Sequence, residues 1–229
     1  MKWDLHANPA RGVELQRLKT IRPKWSLTVD QATALAAQLP WLLPRTLVGL
    51  ALLTGLRRGE LFALRWWDVD EPNRSLQVRA AVYEGVFDDP KTMASLRTIP
   101  LPDAALGLLK AWKARTKRTA AHELIFSTVS GKPISPNNVL RRWVWPACEA
   151  ADLPRATWLT FRRTYSSWAH DKGVPAKVVA QIMGHTKVDT TMNVYTQVLD
   201  GAARAAADRV GSELFRIVQK PENSAELTR

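Results

Sequence analysis

Two arginines in this sequence stand where the chain turns into helix. Arg57 follows Gly55, and Glu60 lies three residues on, on the same helical face. A guanidinium offers a planar fork of donors that suits phosphate, and a carboxylate at that spacing can orient it. Taken alone, the two residues also read as an ordinary surface ion pair. Arg162 begins another helix, in which Phe161, Tyr165 and Trp168 form the apolar stripe. Its neighbours anchor it while its head is free to reach a phosphate, the plainer alternative being a basic first turn on a solvated helix. Lys91 sits beside the Pro90 turn on a hairpin, where a lysine is ordinarily a solubilising charge. His185 comes directly after Gly184 and is ordinarily a cap or a core-edge hydrogen bonder. Tyr195 shares helical spacing with Met192 and Val198, as a core-edge aromatic does. Binding and polarising a phosphate group takes fixed cationic donors around its oxygens. These residue types suit that task.

The elements that must position these residues are mostly helical. Thr28-Val29-Asp30-Gln31 supplies a cap for a short Ala-rich helix ending at Pro40. Trp41–Thr54 reads as a buried helix, with Pro44 tolerated in its first turn and Gly55 as its stop, and Arg58–Trp67 as a third helix. The period then changes. Leu76, Val78, Ala80 and Val82 alternate with Gln77, Arg79 and Ala81, which predicts a strand; Arg97, Ile99 and Leu101 share one side of a second extended run, and Asp88-Asp89-Pro90 between them reads as a turn. Helices resume over residues 102–117, 136–151, 160–171, 175–183, 189–198 and 201–219. The fold class is therefore mainly α with a small inserted antiparallel β-sheet. Residues 1–24 are basic, contain Pro9 and Pro23, and read as a tail or linker; residues 25–229 form the main domain, including the C-terminal helix 201–219.

Composition narrows the partners. A chain of 229 residues with 46% hydrophobic and 24% charged residues can bury a sizeable core, and no apolar run approaches the ~18 residues of a membrane span. The N-terminus lacks the apolar segment and cleavage site of a signal peptide, so a cytoplasmic protein is expected. One cysteine, Cys148, excludes an intrachain disulfide and a thiolate zinc knuckle. The net charge of +12 attracts polyanions, although basic proteins without a nucleic-acid partner are common. The strongest basic cluster, residues 110–117, lies among apolar core positions, which argues against an anionic membrane as the partner.

Four segments in order carry a resemblance. They are Thr54-Gly55-Leu56-Arg57-Arg58-Gly59-Glu60-Leu61, Pro90-Lys91-Thr92 with Arg97-Thr98-Ile99-Pro100-Leu101, Phe161-Arg162-Arg163-Thr164, and Gly184-His185 followed by Thr190-Thr191 and Tyr195. Their order and spacing resemble the catalytic domain of the tyrosine recombinase, or phage integrase, family, with its DNA breaking-rejoining enzyme fold. The resemblance covers nearly everything after the tail. It implies that Arg57 and Arg162 bind the scissile phosphate with Glu60 in support, and that His185 hydrogen-bonds the same phosphate. It further implies that Lys91 protonates the leaving 5′-oxygen and that Tyr195 is the nucleophile of a 3′-phosphotyrosyl intermediate. A phenol has an ordinary pKa of ~10, so nearby positive charge or a base must help remove its proton. Exchange of a phosphoester needs no nucleotide, and the sequence lacks a Walker-type Gly-Lys-Ser/Thr; no cofactor and no metal are expected. The implied partners are double-stranded DNA and further copies of the chain, a homo-oligomer (tetramer) on paired sites.

The match departs at two places. The family's histidine three residues before the second arginine is replaced by Leu159, which cannot move a proton. The tail's Asn8-Pro9-Ala10 resembles the end of a missing N-terminal domain, as in a truncated gene or a fragment. Two functions compete: strand cleavage and rejoining in site-specific recombination or integration, with a strand-relaxing activity as a close variant, and a catalytically weakened or inactive integrase-like DNA-binding module. Finally, Ala202, Ala206, Val210, Leu214 and Val218 form an apolar stripe that docks on a neighbouring protomer, as in the family, or on its own domain.

Overall fold

Helix α1 (Val29–Gln38) starts at a reciprocal cap. The Thr28 hydroxyl accepts from the Gln31 N–H at 3.2 Å, and the Gln31 side chain accepts from the Thr28 N–H at 2.9 Å. Helix α2 (Leu42–Thr54) is apolar nearly all round, and such a helix must be central. It packs on both α4 (Asp103–Lys113) and α7 (Trp158–Asp171), burying Leu47, Leu50 and Leu53 completely. The computed structural model describes residues 25–88, 96–184, 204 and 207–212.

Helix α3 (Arg58–Ala63) is shorter than the expected Arg58–Trp67. Long-range pairing overrides the local pattern. The Leu64 carbonyl accepts from the Ile125 N–H at 2.9 Å and the Trp66 N–H donates to the Glu123 carbonyl at 3.1 Å, so the chain is pulled straight before a short 3-10 turn, Trp66–Asp68. The expected single strand over residues 76–82 is two strands in two sheets. Strands β1 (Val69–Asp70), β2 (Ser75–Val78) and β5 (Arg97–Pro100) form an antiparallel sheet in the order β1-β2-β5, with Leu76 opposite Ile99 and Val78 opposite Arg97. After a break at Arg79–Ala80, β3 (Ala81–Tyr83) pairs with β4 (Val86–Asp88) through a tight turn at Glu84-Gly85, and Asp88 belongs to that strand rather than to a turn.

The helix expected over residues 136–151 is present but not uniform. Helix α5 (Pro136–Val139) passes through one π turn, Leu140–Val144, into α6 (Trp145–Ala150). Pro146 lacks an N–H and its ring crowds the preceding turn, and a widened turn relieves that crowding. Cys148 in α6 is fully buried, and burial pushes its thiol up. Helix α7 starts two residues earlier than expected, capped by the Thr157 hydroxyl, which accepts from the Thr160 N–H at 3.2 Å. Its stripe of Phe161, Tyr165 and Trp168 is buried as expected. Helix α8 (Ala176–Met183) presents Val178, Val179, Ile182 and Met183 to the core.

Within the C-terminal stripe, residues 207–212 are helical and sit on their own domain. Ala207 and Val210 are buried, Arg204 donates to the Asn73 carbonyl at 3.0 Å, and Asp208 pairs with Arg74 at 3.1 Å. The rest of that stripe, the tail 1–24 and the expected helix 189–198 lie outside the described residues. Among the described residues no helix is long and apolar enough to cross a membrane.

Candidate active site

Helix α2 stops at Gly55, whose φ of 62° is left-handed and whose missing Cβ would lie 2.6 Å from Tyr165 Cδ1. Only glycine meets both demands, and the turn it makes delivers Arg57 to the N-cap of α3 in extended backbone. There the Arg57 N–H donates to Glu60 Oε2 at 2.8 Å, while Arg57 Nη1 donates to Glu60 Oε1 at 2.8 Å. Glu60 thus caps the helix from its third residue and orients the guanidinium at the same time. The remaining half of a capping box does not exist, since an arginine side chain has no acceptor.

Glu60 is buried, unlike a surface partner, and it has a second arginine. Arg97 opens β5 and meets the carboxylate edge-on, Nη1 to Oε1 at 2.9 Å and Nη2 to Oε2 at 2.8 Å, with both side chains 9% exposed. Burial alone would push the Glu60 carboxyl up; the hydrogen bonds and charge of Arg97, joined by the hydrogen bonds from Arg57, outweigh it and hold the pKa below the usual glutamate value. Arg162 lies one turn inside α7 and is 8% exposed, so it is no solvated first-turn residue. Nor is its head free, as the sequence suggested, because two distant segments close over it: Nη1 donates to the Gly55 carbonyl at 2.5 Å and Nη2 to the Met183 carbonyl at 2.8 Å. Desolvation first, then the charge of Arg57 and Arg97, with Glu60 opposing, lowers its pKa to about 10, which leaves it protonated at neutral pH.

The three arginines share one further target. The last carbonyls of a helix have no intrahelical donors and carry the negative end of its dipole. At the end of α8 the Ile182 carbonyl accepts from Arg97 Nε at 2.9 Å, the Met183 carbonyl from Arg162, and the Gly184 carbonyl from Arg57 Nη2. Gly184 is left-handed, with φ of 67°, and a Cβ there would fall 2.6 Å from Arg97 Nη1. Three segments far apart in sequence are thus clasped onto the turn that leads to His185. Arg57 remains 43% exposed and is the member of the cluster that faces solvent.

Of the residues expected from sequence, Arg57, Glu60 and Arg162 come together here. Leu159, on the first turn of α7, is 53% exposed. Lys91, His185 and Tyr195 lie outside the described residues. Among the other tyrosines, Tyr165 is buried beneath Gly55 and burial pushes its phenol up, which disqualifies it as a nucleophile. Arg97 is a site residue that the motif contained without a role. Its signal was present in the strand alternation, which places a charge on the same side as buried Ile99 and Leu101, where only a counter-charge stabilises it.

The chain is 29% identical over 174 residues to the tyrosine recombinase XerC-like protein of Caldanaerobacter subterraneus subsp. tengcongensis, covering 66% of this chain and 44% of that one. It is 30% identical over 211 residues to tyrosine recombinase XerC 2 of Ralstonia nicotianae, covering 88% and 57%. The chain therefore spans about half the length of these relatives. Among solved structures, the fold is shared with the Tn1549 transposon integrase in complex with a circular intermediate DNA, at a TM-score of 0.63 and 23% identity over 83% of this chain and 67% of that one. It is also shared with the integrase from mycobacterium phage Brujita, at 0.63 and 18% over 93% and 69%. Residues 26–201 match the sequence profile described as the phage integrase family, and with most of its length inside that match the chain belongs to this family.

Proposed function

We propose that this chain cleaves and rejoins strands of double-stranded DNA in site-specific recombination or integration, with Tyr195 as nucleophile. The observation that carries the proposal is the clasp of Arg57, Arg97 and Arg162 around Glu60 and the end of α8, a cationic cluster with more positive than negative groups and one guanidinium open to solvent. Such a cluster stabilises the charge that develops on nonbridging phosphate oxygens. Arg57 and Arg162 hold the scissile phosphate, and His185, next after Gly184, donates to it. The Tyr195 phenol gives its proton to water, with nearby positive charge favouring the phenolate; its oxygen attacks phosphorus, the bond to the 5′-oxygen breaks, and Lys91 supplies the proton that leaves with the 5′-hydroxyl. The strand is resealed when a 5′-hydroxyl attacks the 3′-phosphotyrosyl link and returns the proton. Copies of the chain act together on paired sites as a homo-oligomer.

Tyr195→Phe tests the assignment, because it removes only the phenolic oxygen. On nicked suicide duplexes carrying the cognate site, the parent accumulates a covalent adduct visible on denaturing gels. The variant gives none and keeps noncovalent affinity within about twofold. An adduct that survives this substitution removes Tyr195 from the nucleophile role, and a parent that forms none removes the cleavage function.

A further inference from the structure

Arg97 is the residue through which the separate parts of the cluster meet. Its guanidinium spends three donors at once, two on Glu60 and one on the Ile182 carbonyl, at 2.8–2.9 Å. Glu60 in turn fixes both the backbone N–H and the head of Arg57. The same guanidinium occupies the space that a Cβ at Gly184 would need. The strand that carries it is locked by pairing, Val78 opposite Arg97 and Leu76 opposite Ile99. Every nitrogen of the Arg97 guanidinium is already engaged, whereas Arg162 commits only its two Nη atoms and Arg57 stands 43% exposed.

We infer that Arg97 is a positioning residue: through Glu60 it sets the placement of Arg57 relative to the α8 terminus, to which Arg162 is also tied. This inference rests on the strand-cleavage reading. Lysine at the position keeps the charge but is a point donor on a flexible stem and cannot reproduce the three-way fork. A residue needed only to neutralise Glu60 is replaceable by lysine; a positioning residue is not.

The test compares the parent chain with Arg97→Lys and Arg97→Gln, at matched folded fraction from thermal melts. Three quantities are read: the single-turnover rate of adduct formation, the noncovalent affinity for the same duplex, and hydrogen exchange at the amides of residues 180–184. The expected result for Arg97→Lys is a rate lowered by about 10- to 100-fold, as small misplacements of reacting groups produce. Affinity changes by less than about threefold, and exchange at the end of α8 is faster while α2 amides are unchanged. Full rescue of the rate by lysine, or unaltered exchange at residues 180–184, overturns the inference. If the parent forms no adduct, the cleavage reading fails and the exchange measurement alone decides the role of Arg97. If neither variant folds, the role is structural and the inference is overturned.

Discussion

Leu159 stands half exposed on the first turn of α7, three residues before Arg162, at the position to which the resemblance assigns a histidine. Its exposure settles a competition between two effects of restoring that histidine. A buried leucine would resist replacement, because an imidazole loses apolar contacts and can leave a ring nitrogen unpaired. An exposed one does not, and surface substitutions usually stay within about ±0.5 kcal/mol. Leu159→His is therefore expected to leave the melting curve nearly unchanged while raising the rate of adduct formation by about 10-fold or more, since a titratable group near neutral pH assists proton transfer. Adduct rates across pH at constant folded fraction check it. A folded variant with no gain at any pH means that residue 159 does not face the reacting centre, or that another group already moves the proton. The environment of Arg162 is what the sequence did not disclose at this scale. Its burial comes from the α8 terminus and Gly55 closing over it from 21 and 107 residues away, and no local pattern encodes that.

Elements set by local chemistry were legible, and those set by distant partners were not. Helices α1 and α2 followed from Thr28, Gln31, Pro44 and Gly55, each of which acts within a few residues of itself. The end of α3 depends on pairing of Leu64 and Trp66 with residues 123–125, so its apolar periodicity ran on past the true boundary. The β3–β4 hairpin escaped notice because Val82 is its one buried residue while Tyr83, Val86 and Phe87 are exposed, too little to impose alternation on both strands; the Glu84-Gly85 pair, both with positive φ, was its only mark. Helix α8 yields a prediction of its own. In Gly184→Ala the new methyl both strains a left-handed residue and displaces Arg97 from its seat, so a loss of about 1–3 kcal/mol is expected. Urea unfolding is expected to show a lower midpoint at unchanged slope. An unchanged midpoint would mean that the α8 turn relaxes freely and that the clasp is loose.

Across the whole molecule, the excess of 33 lysines and arginines over 21 acidic residues would govern the proposed encounter with DNA more than the chemistry at the clasp would. Each phosphate neutralised releases counterions, so log affinity for duplex should fall linearly with log salt, losing roughly 10³-fold or more between 50 and 200 mM if six or more phosphates are contacted. Fluorescence anisotropy with a labelled duplex measures the slope, and a flat line would exclude DNA as the partner. The folded domain is also a blank for thiol chemistry. Its single cysteine, Cys148, is sealed inside α6, and burial disfavours the reactive thiolate. The native parent is therefore expected to take up no maleimide at neutral pH and one equivalent after denaturation, as mass spectrometry would count. Leu159→Cys would then accept a single fluorophore beside Arg162, and the dye would report arrival of a DNA end in real time without any background label to remove. Rapid labelling of the native parent would instead reveal that α6 opens on the timescale of the reaction.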